Sequence, residues 1–336
     1  MGPRPGRRAP LIEVTGPRAS APRRGVWLFP SAPAPRLVAA AAAAEEAGLD
    51  EFWLGDEGPA ARDAFAVLAA VAMRTTRIRL GIAITNPYLR HAAVAAAEMM
   101  TVHELSGGRA VLGLGPGGRM ALGPARVERV APLAAARQAL ATMRAVTRGT
   151  PAEGYAPGPA PFVAPDLPLY IGSRGEQFNR LASAEADGVF IGGIPDSLTK
   201  AVIAWAHSVH VIPVALYAAA IFGADALEAH RPRVVLPLAD TPHYTREWLG
   251  VSDHDVERAS YALLAGDEGP ARDLVTDEIL GDLVIGGSPT DVGLELAHRA
   301  RRHHPDSIGL TFDTAEPEVA VAATAAAIHT FDKELA

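Results

Sequence analysis

The chain has 336 residues, 49% of them hydrophobic, enough to bury one large core, and it carries a formal net charge of −7 and no cysteine. That charge argues against general nucleic-acid affinity, and the lack of cysteine excludes disulfides, thiolate metal sites and cysteine nucleophiles, as suits a reducing cytoplasm. No apolar run of about 18 residues lacks the periodicity of a soluble helix, so no membrane span is expected.

Residues 1–24 are rich in Pro, Gly, Ala and Arg without hydrophobic periodicity, and are expected to form a disordered arm. They lack the apolar stretch of roughly 7–15 residues that a secretory signal needs. The rest, 25–336, reads as a single domain. A strand is expected at 25–29, a helix at 35–47, strands at 52–54 and 78–84 around a helix at 62–74, then a helix at 91–105 and a strand at 110–114. A helix at 132–146 precedes a long Pro- and Gly-rich loop, 149–167. Strands at 169–172, 188–191 and 209–216 alternate with helices ending near 186 and 207. The rhythm breaks over about 219–285, where prolines and glycines punctuate helical segments. A helix at 289–303, a strand at 307–312 and a last helix to about 331 close the chain. Eight strands, each feeding a helix, predict an α/β fold: a (β/α)₈ TIM barrel with an insertion after strand seven.

In such folds ligands gather at the carboxyl ends of the strands. Asp56 and Glu57 end strand two, where a carboxylate takes a proton, binds a ring N–H or caps the next helix. Asn86 and Arg90 follow strand three, as a polar turn or as ligand groups, and His91 and Glu98 either face the barrel or line a helix. The cluster Gly113, Gly115, Gly117 and Gly118 after strand four fits a tight turn as well as the close approach of a flat ligand. Ser173-Arg174-Gly175 opens a helix after strand five, where free amides and the helix dipole favour a phosphate, and Gly192-Gly193 at the next strand end faces the same position. No HExxH spacing, GxSxG elbow or Walker loop occurs, so neither a metal site nor hydrolase chemistry is expected.

The segment Thr85-Asn86-Pro87-Tyr88-Leu89-Arg90-His91, taken with Glu104-Leu105-Ser106-Gly107-Gly108-Arg109 and LGLGPGG at 112–118, resembles the bacterial luciferase-like monooxygenase superfamily. Within it, the resemblance is to the methylenetetrahydromethanopterin reductase-like branch, whose members use the deazaflavin coenzyme F420. It implies a cytoplasmic, homodimeric oxidoreductase that moves a hydride between the deazaflavin C5 and a small-molecule substrate. The alternatives are an FMN-dependent monooxygenase on the same barrel and a non-catalytic flavin-binding barrel. By the same resemblance Asp56 contacts the deazaflavin ring, and Ala83-Ile84 form a strand bulge that often holds a non-prolyl cis peptide behind the ring. Asn86 binds the ring or its side chain, and Gly115 and Gly117 lie against the polar arm. Ser173, Arg174, Gly175, Gly192 and Gly193 hold the phosphate. Three departures bear on the chemistry: Glu57 stands where many relatives have His, Gly118 where some dehydrogenases have an acid, and Ala92 where Pro is frequent. Glu57 is therefore the candidate acid, with His91 second.

Overall fold

The computed structural model describes residues 21–172 and 174–336. Ser173 and residues 1–20 of the expected arm lie outside the described residues. Nine strands occur among those described: β1 (Arg23–Leu28), β2 (Glu51–Leu54), β3 (Arg79–Thr85), β4 (Ala110–Leu114), β5 (Leu169–Gly172), β6 (Gly188–Gly192), β7 (Val214–Phe222), β8 (Val284–Gly287) and β9 (Ser307–Phe312). β1 to β7 pair in chain order, all parallel, and β9 joins β7 back to β1, so eight strands close a barrel without edges. β8 stays outside the ring, paired with the far end of β7 from Ala219 to Phe222. The expected (β/α)₈ barrel is the fold observed. Among the described residues no helix is long and apolar enough to cross a membrane.

Three boundaries differ from the expectations. β1 begins at Arg23, inside the segment read as arm. Arg24 donates from its backbone N–H and its Nε to Asp50, both at 2.8 Å, and its Nη1 reaches Asp332 at 2.7 Å. Those partners are distant in sequence, so the local composition resembled a tail. The seventh strand was expected at 209–216 but runs from Val214 to Phe222, because Val209 and Val211 are exposed in a loop closed by Pro213. A β-branched run alone does not specify pairing. The insertion consequently starts at Gly223 rather than near 219, and it ends in β8. A short helix not foreseen, Arg119–Ala125, follows β4.

Two layers of packing hold the barrel. Outside, Ala40, Ala41 and Ala44 of the alanine-rich helix Ala34–Glu46 are fully buried, their small side chains letting the helix sit close on the sheet. Inside, Trp53, Tyr170, Phe190 and Tyr217 fill the lumen, with Phe190 stacked on Tyr217 at 4.8 Å and Trp53 tilted 5.1 Å from Phe190. Glycine opposite these rings is a steric requirement: a Cβ on Gly81 would come within 1.9 Å of Trp53, and one on Gly25 within 2.0 Å of the Tyr217 hydroxyl. At the amino ends of the strands the lumen is closed by Glu51, whose Oε1 accepts from Arg23 at 2.6 Å and Arg79 at 3.0 Å. Its Oε2 accepts from Trp53 Nε1, the Tyr217 hydroxyl and Ser307. Burial pushes the Glu51 carboxyl up, but Arg79 and Arg23 outweigh it and hold the group below the usual carboxylate range. This end is a filled plug, and the opposite end carries the loops.

Candidate active site at the carboxyl ends of the strands

Asp56, just beyond β2, is buried, and its Oδ2 accepts a hydrogen bond from Thr85 Oγ1 of β3 at 2.6 Å. Arg90 Nε stands 3.7 Å from the same oxygen, while its other nitrogens bind Asp63 at 2.8 Å and Glu98 at 2.9 Å. The guanidinium also lies 4.6 Å over the Phe65 ring. Asp56 is thereby fixed as an acceptor by Thr85 at the end of β3, with the Arg90 charge of the following loop close by.

Glu57, its chain neighbour, has the opposite environment. Burial pushes its carboxyl up to about 7, and the negative charges of Asp56, Asp240 and Asp313 add to this against Arg174. A carboxyl near neutrality on the rim of a barrel is suited to giving and taking a proton.

β3 supplies the floor. The Ala83–Ile84 peptide is cis, and the pairing with β4 shifts register between Ile82 and Thr85. The Ile84 side chain occupies the space left by two absent side chains, since a Cβ on Gly115 would lie 2.0 Å from its Cδ1 and one on Gly172 2.2 Å from its Cγ2. Gly115 makes room for Ile84. Beside Ile84 lies Trp27 of β1, whose indole Nε1 donates to the Ala83 carbonyl at 2.5 Å. Asn86 is buried, and its Oδ1 accepts from the N–H groups of Tyr88 and Leu89 at 3.1 and 3.0 Å, which pins the loop and leaves its NH₂ for another partner. Gly117, at φ +75°, packs against Leu122 and the Asn86 Cβ.

At the ends of β5 and β6, Arg174 Nε donates to the Gly192 carbonyl at 3.2 Å and its Nη1 to the Pro237 carbonyl of the insertion at 3.1 Å. The Tyr244 hydroxyl, also from the insertion, donates to the Arg174 carbonyl. Among the described residues no carboxylate comes within ion-pair distance of this guanidinium, and burial lowers its pKa against the pull of Asp240, Glu57 and Tyr244. Gly193, at φ +62°, has no room for a side chain, as its Cβ would lie 2.9 Å from Arg174 Nη2. Gly175 is the N-cap of the helix Glu176–Glu185. An under-compensated cation beside a helix start fits an anion.

His91 is placed differently. It is exposed at the N-cap of the helix Ala92–Leu105, where its Nδ1 accepts from the Ala93 N–H at 3.3 Å. Among the described residues no contact joins it to Asp56 or Glu57. Gly118 has the carboxylate of Asp240 3.3 Å from its Cβ position, and that carboxylate accepts from the Arg119 N–H at 3.1 Å. Sequence reasoning missed Trp27, Thr85, Asp240, Tyr244 and Asp313. The first two stand in strands whose inward register was readable, whereas the insertion residues gave no local signal.

A cavity of about 810 Å³ lies away from the barrel mouth, between the insertion and the helix Pro289–His303. Asp196 on its wall is matched by Arg299 at 3.4 Å, His303 at 2.9 Å and Arg302. Asp196 is thus an ion-paired joint between helices.

The profile of the family described as Luciferase-like monooxygenase matches residues 17–304. The 5,10-methylenetetrahydromethanopterin reductase of Methanolobus tindarius is 30% identical over 285 residues, covering 80% of this chain and 87% of its own. Among solved structures, the coenzyme F420 dependent tetrahydromethanopterin reductase of Methanopyrus kandleri superposes with a TM-score of 0.77 at 22% identity, over 93% of this chain and 100% of the other. An F420-dependent secondary alcohol dehydrogenase follows with a TM-score of 0.68 at 16% identity, over 91% of this chain and 99% of the other. At those identities the two structures speak for the fold alone. Sequence profile, full-length relative and barrel agree, and the chain belongs to the luciferase-like monooxygenase family of oxidoreductases.

Proposed function

We propose that the chain is an F420-dependent oxidoreductase, transferring a hydride between the deazaflavin and a small organic substrate above the Trp27–Ile84 floor. The observation that carries this reading is the pair of carboxyls at the end of β2, one fixed as an acceptor and the other with a pKa of about 7. The residues present fit the cofactor. Ile84, seated on Gly115 and Gly172, offers an apolar surface for a flat ring, and Arg174 offers an under-compensated cation for a phosphate. When bound, the deazaflavin supplies hydride chemistry that no side chain can. Glu57 then holds a proton for the substrate heteroatom in the reductive direction and takes it back in the oxidative one. Asp56, oriented by Thr85 with Arg90 close by, accepts from a ring N–H. The Asn86 NH₂ faces the ring or its side chain, and Arg174 with Ser173, Gly175, Gly192 and Gly193 holds the phosphate. His91, occupied at a helix start, has no part in this scheme.

The test is oxidation of reduced F420, followed by its absorbance, against a panel of aldehydes, ketones and imines. Turnover with at least one class is expected. Replacement of Glu57 by Gln should lower it by about 10²–10⁴, the usual value of a positioned general acid, while cofactor affinity stays within threefold (roughly, about 0.6 kcal/mol). Full activity in Glu57→Gln contradicts the assignment, and oxygen consumption with reduced FMN but none with F420 moves the chemistry to a monooxygenase.

A further inference from the structure

Glu57 is one residue in a ring of charges, and the question is what keeps it in contact with the barrel interior instead of with water. Gly55, the first residue after β2, bears on this. A Cβ built at Gly55 would lie 2.8 Å from Glu57 Oε1 and 2.8 Å from Trp27 Cζ2, so the carboxyl and the indole flank one notch that any side chain would fill. Trp27 is itself half-buried at the top of the lumen, and its Nε1 bond to the Ala83 carbonyl stretches it from β1 across to β3. The indole thus runs from β1 to β3 past the Gly55 notch, on whose other side the Glu57 carboxyl stands. We infer that Trp27 is the positioning residue for the Glu57 carboxyl: anchored on Ala83, its ring walls the acid from water and keeps its proton on it.

This inference rests on Glu57 being the acid of the proposed reaction, yet it concerns this chain's own residues and needs no cofactor to test. The other groups that act on Glu57 come from four elements: Asp56 at the end of β2, Asp240 of the insertion and Asp313 after β9 favour the proton, and Arg174 after β5 opposes it. His230 of the insertion faces Asp313 and is held below its usual range by burial and Arg233. None of these is removed when Trp27 is changed, so the contribution of the ring separates cleanly from that of the charges.

The experiment is a pH titration of the cofactor-free protein labelled with ¹³C at the glutamate carboxyls, the Glu57 resonance being the one lost in Glu57→Gln. The unmodified chain should titrate near 7. Trp27→Leu, which removes the ring and the tether, should lower the midpoint by about one unit or more toward the ordinary carboxylate range. Trp27→Phe keeps a ring without the N–H and should fall between the two. Circular dichroism reports folding, and if Trp27→Leu does not fold, Trp27→Phe decides alone. A midpoint unmoved in the folded variants, or an ordinary carboxylate midpoint in the unmodified chain, overturns the inference. Neither result bears on whether F420 binds, and failure of F420 to bind would leave this titration as it is.

Discussion

Asp56 and Glu57 are adjacent carboxyls that the fold places in different surroundings. Asp56 gains a hydroxyl donor and a nearby guanidinium, whereas Glu57 loses solvent and gains three carboxylate neighbours. The second environment has a cost for the folded state. Glu57 is raised above its unfolded value, so the folded chain binds more protons than the unfolded chain between about pH 4.5 and 7, and stability falls as pH rises through that window. Glu57→Gln removes the ionisation. It should raise stability by on the order of 1–2 kcal/mol at pH 8, discounted for partial solvation, and leave it nearly unchanged at pH 4. Thermal melts at the two pH values check this, and an equal effect at both would contradict the environment described. At the end of β6, Gly193→Ala places a methyl group 2.9 Å from Arg174 Nη2 on backbone at φ +62°. A loss of stability of about 1–2 kcal/mol is expected from the backbone conformation. Cofactor affinity should fall by roughly tenfold, about 1.4 kcal/mol, which equilibrium binding would show.

The strands and their helices divide the work of the barrel between its two ends. At the amino ends Glu51 sits fully buried among two guanidinium groups and three neutral donors. Glu51→Ala would leave Arg23 and Arg79 facing each other over unmatched hydroxyls, and should cost about 3 kcal/mol. Because the Glu51 carboxyl is held below its unfolded value, its contribution is present above about pH 4.5 and lost as pH falls through the folded pKa. Denaturant melts of Glu51→Ala should therefore lie well below those of the unmodified chain at pH 7 and converge with them in acid. Convergence at pH 7 would show the plug to be dispensable. The elements themselves were largely legible. Strands buried on both faces read as continuous apolar runs, and the helices carry their stops in sequence, as at Gly48 and at Ser106-Gly107-Gly108. What failed depended on distant partners. Arg23 and Arg24 read as tail until Glu51, Asp50 and Asp332 pair with them, and 209–213 read as strand although its valines face outward.

At the scale of the molecule, the fold follows from repetition, and its signal accumulates over the whole chain. The site does not accumulate in that way. Asp56, Glu57, Asn86 and the glycines near the strand ends could be nominated because position in a barrel is itself informative. Trp27 reaches the neighbourhood of Glu57 from β1 through its bond to Ala83 of β3, and Asp240, Tyr244 and Pro237 arrive from an insertion with no register to read. His91 shows the converse: a residue type suited to proton transfer, taken up by a helix start. The insertion reaches back to Arg174 through Pro237 and Tyr244, so the barrel and its insertion together surround that residue, where the proposed function seats the cofactor phosphate. The account therefore stands on what binds there. The most direct measurement is titration of the purified chain with F420 and, separately, with FMN, following cofactor fluorescence. Micromolar affinity for F420 with FMN weaker by tenfold or more, about 1.4 kcal/mol, is the result predicted. Preference for FMN, or binding of neither, would contradict it.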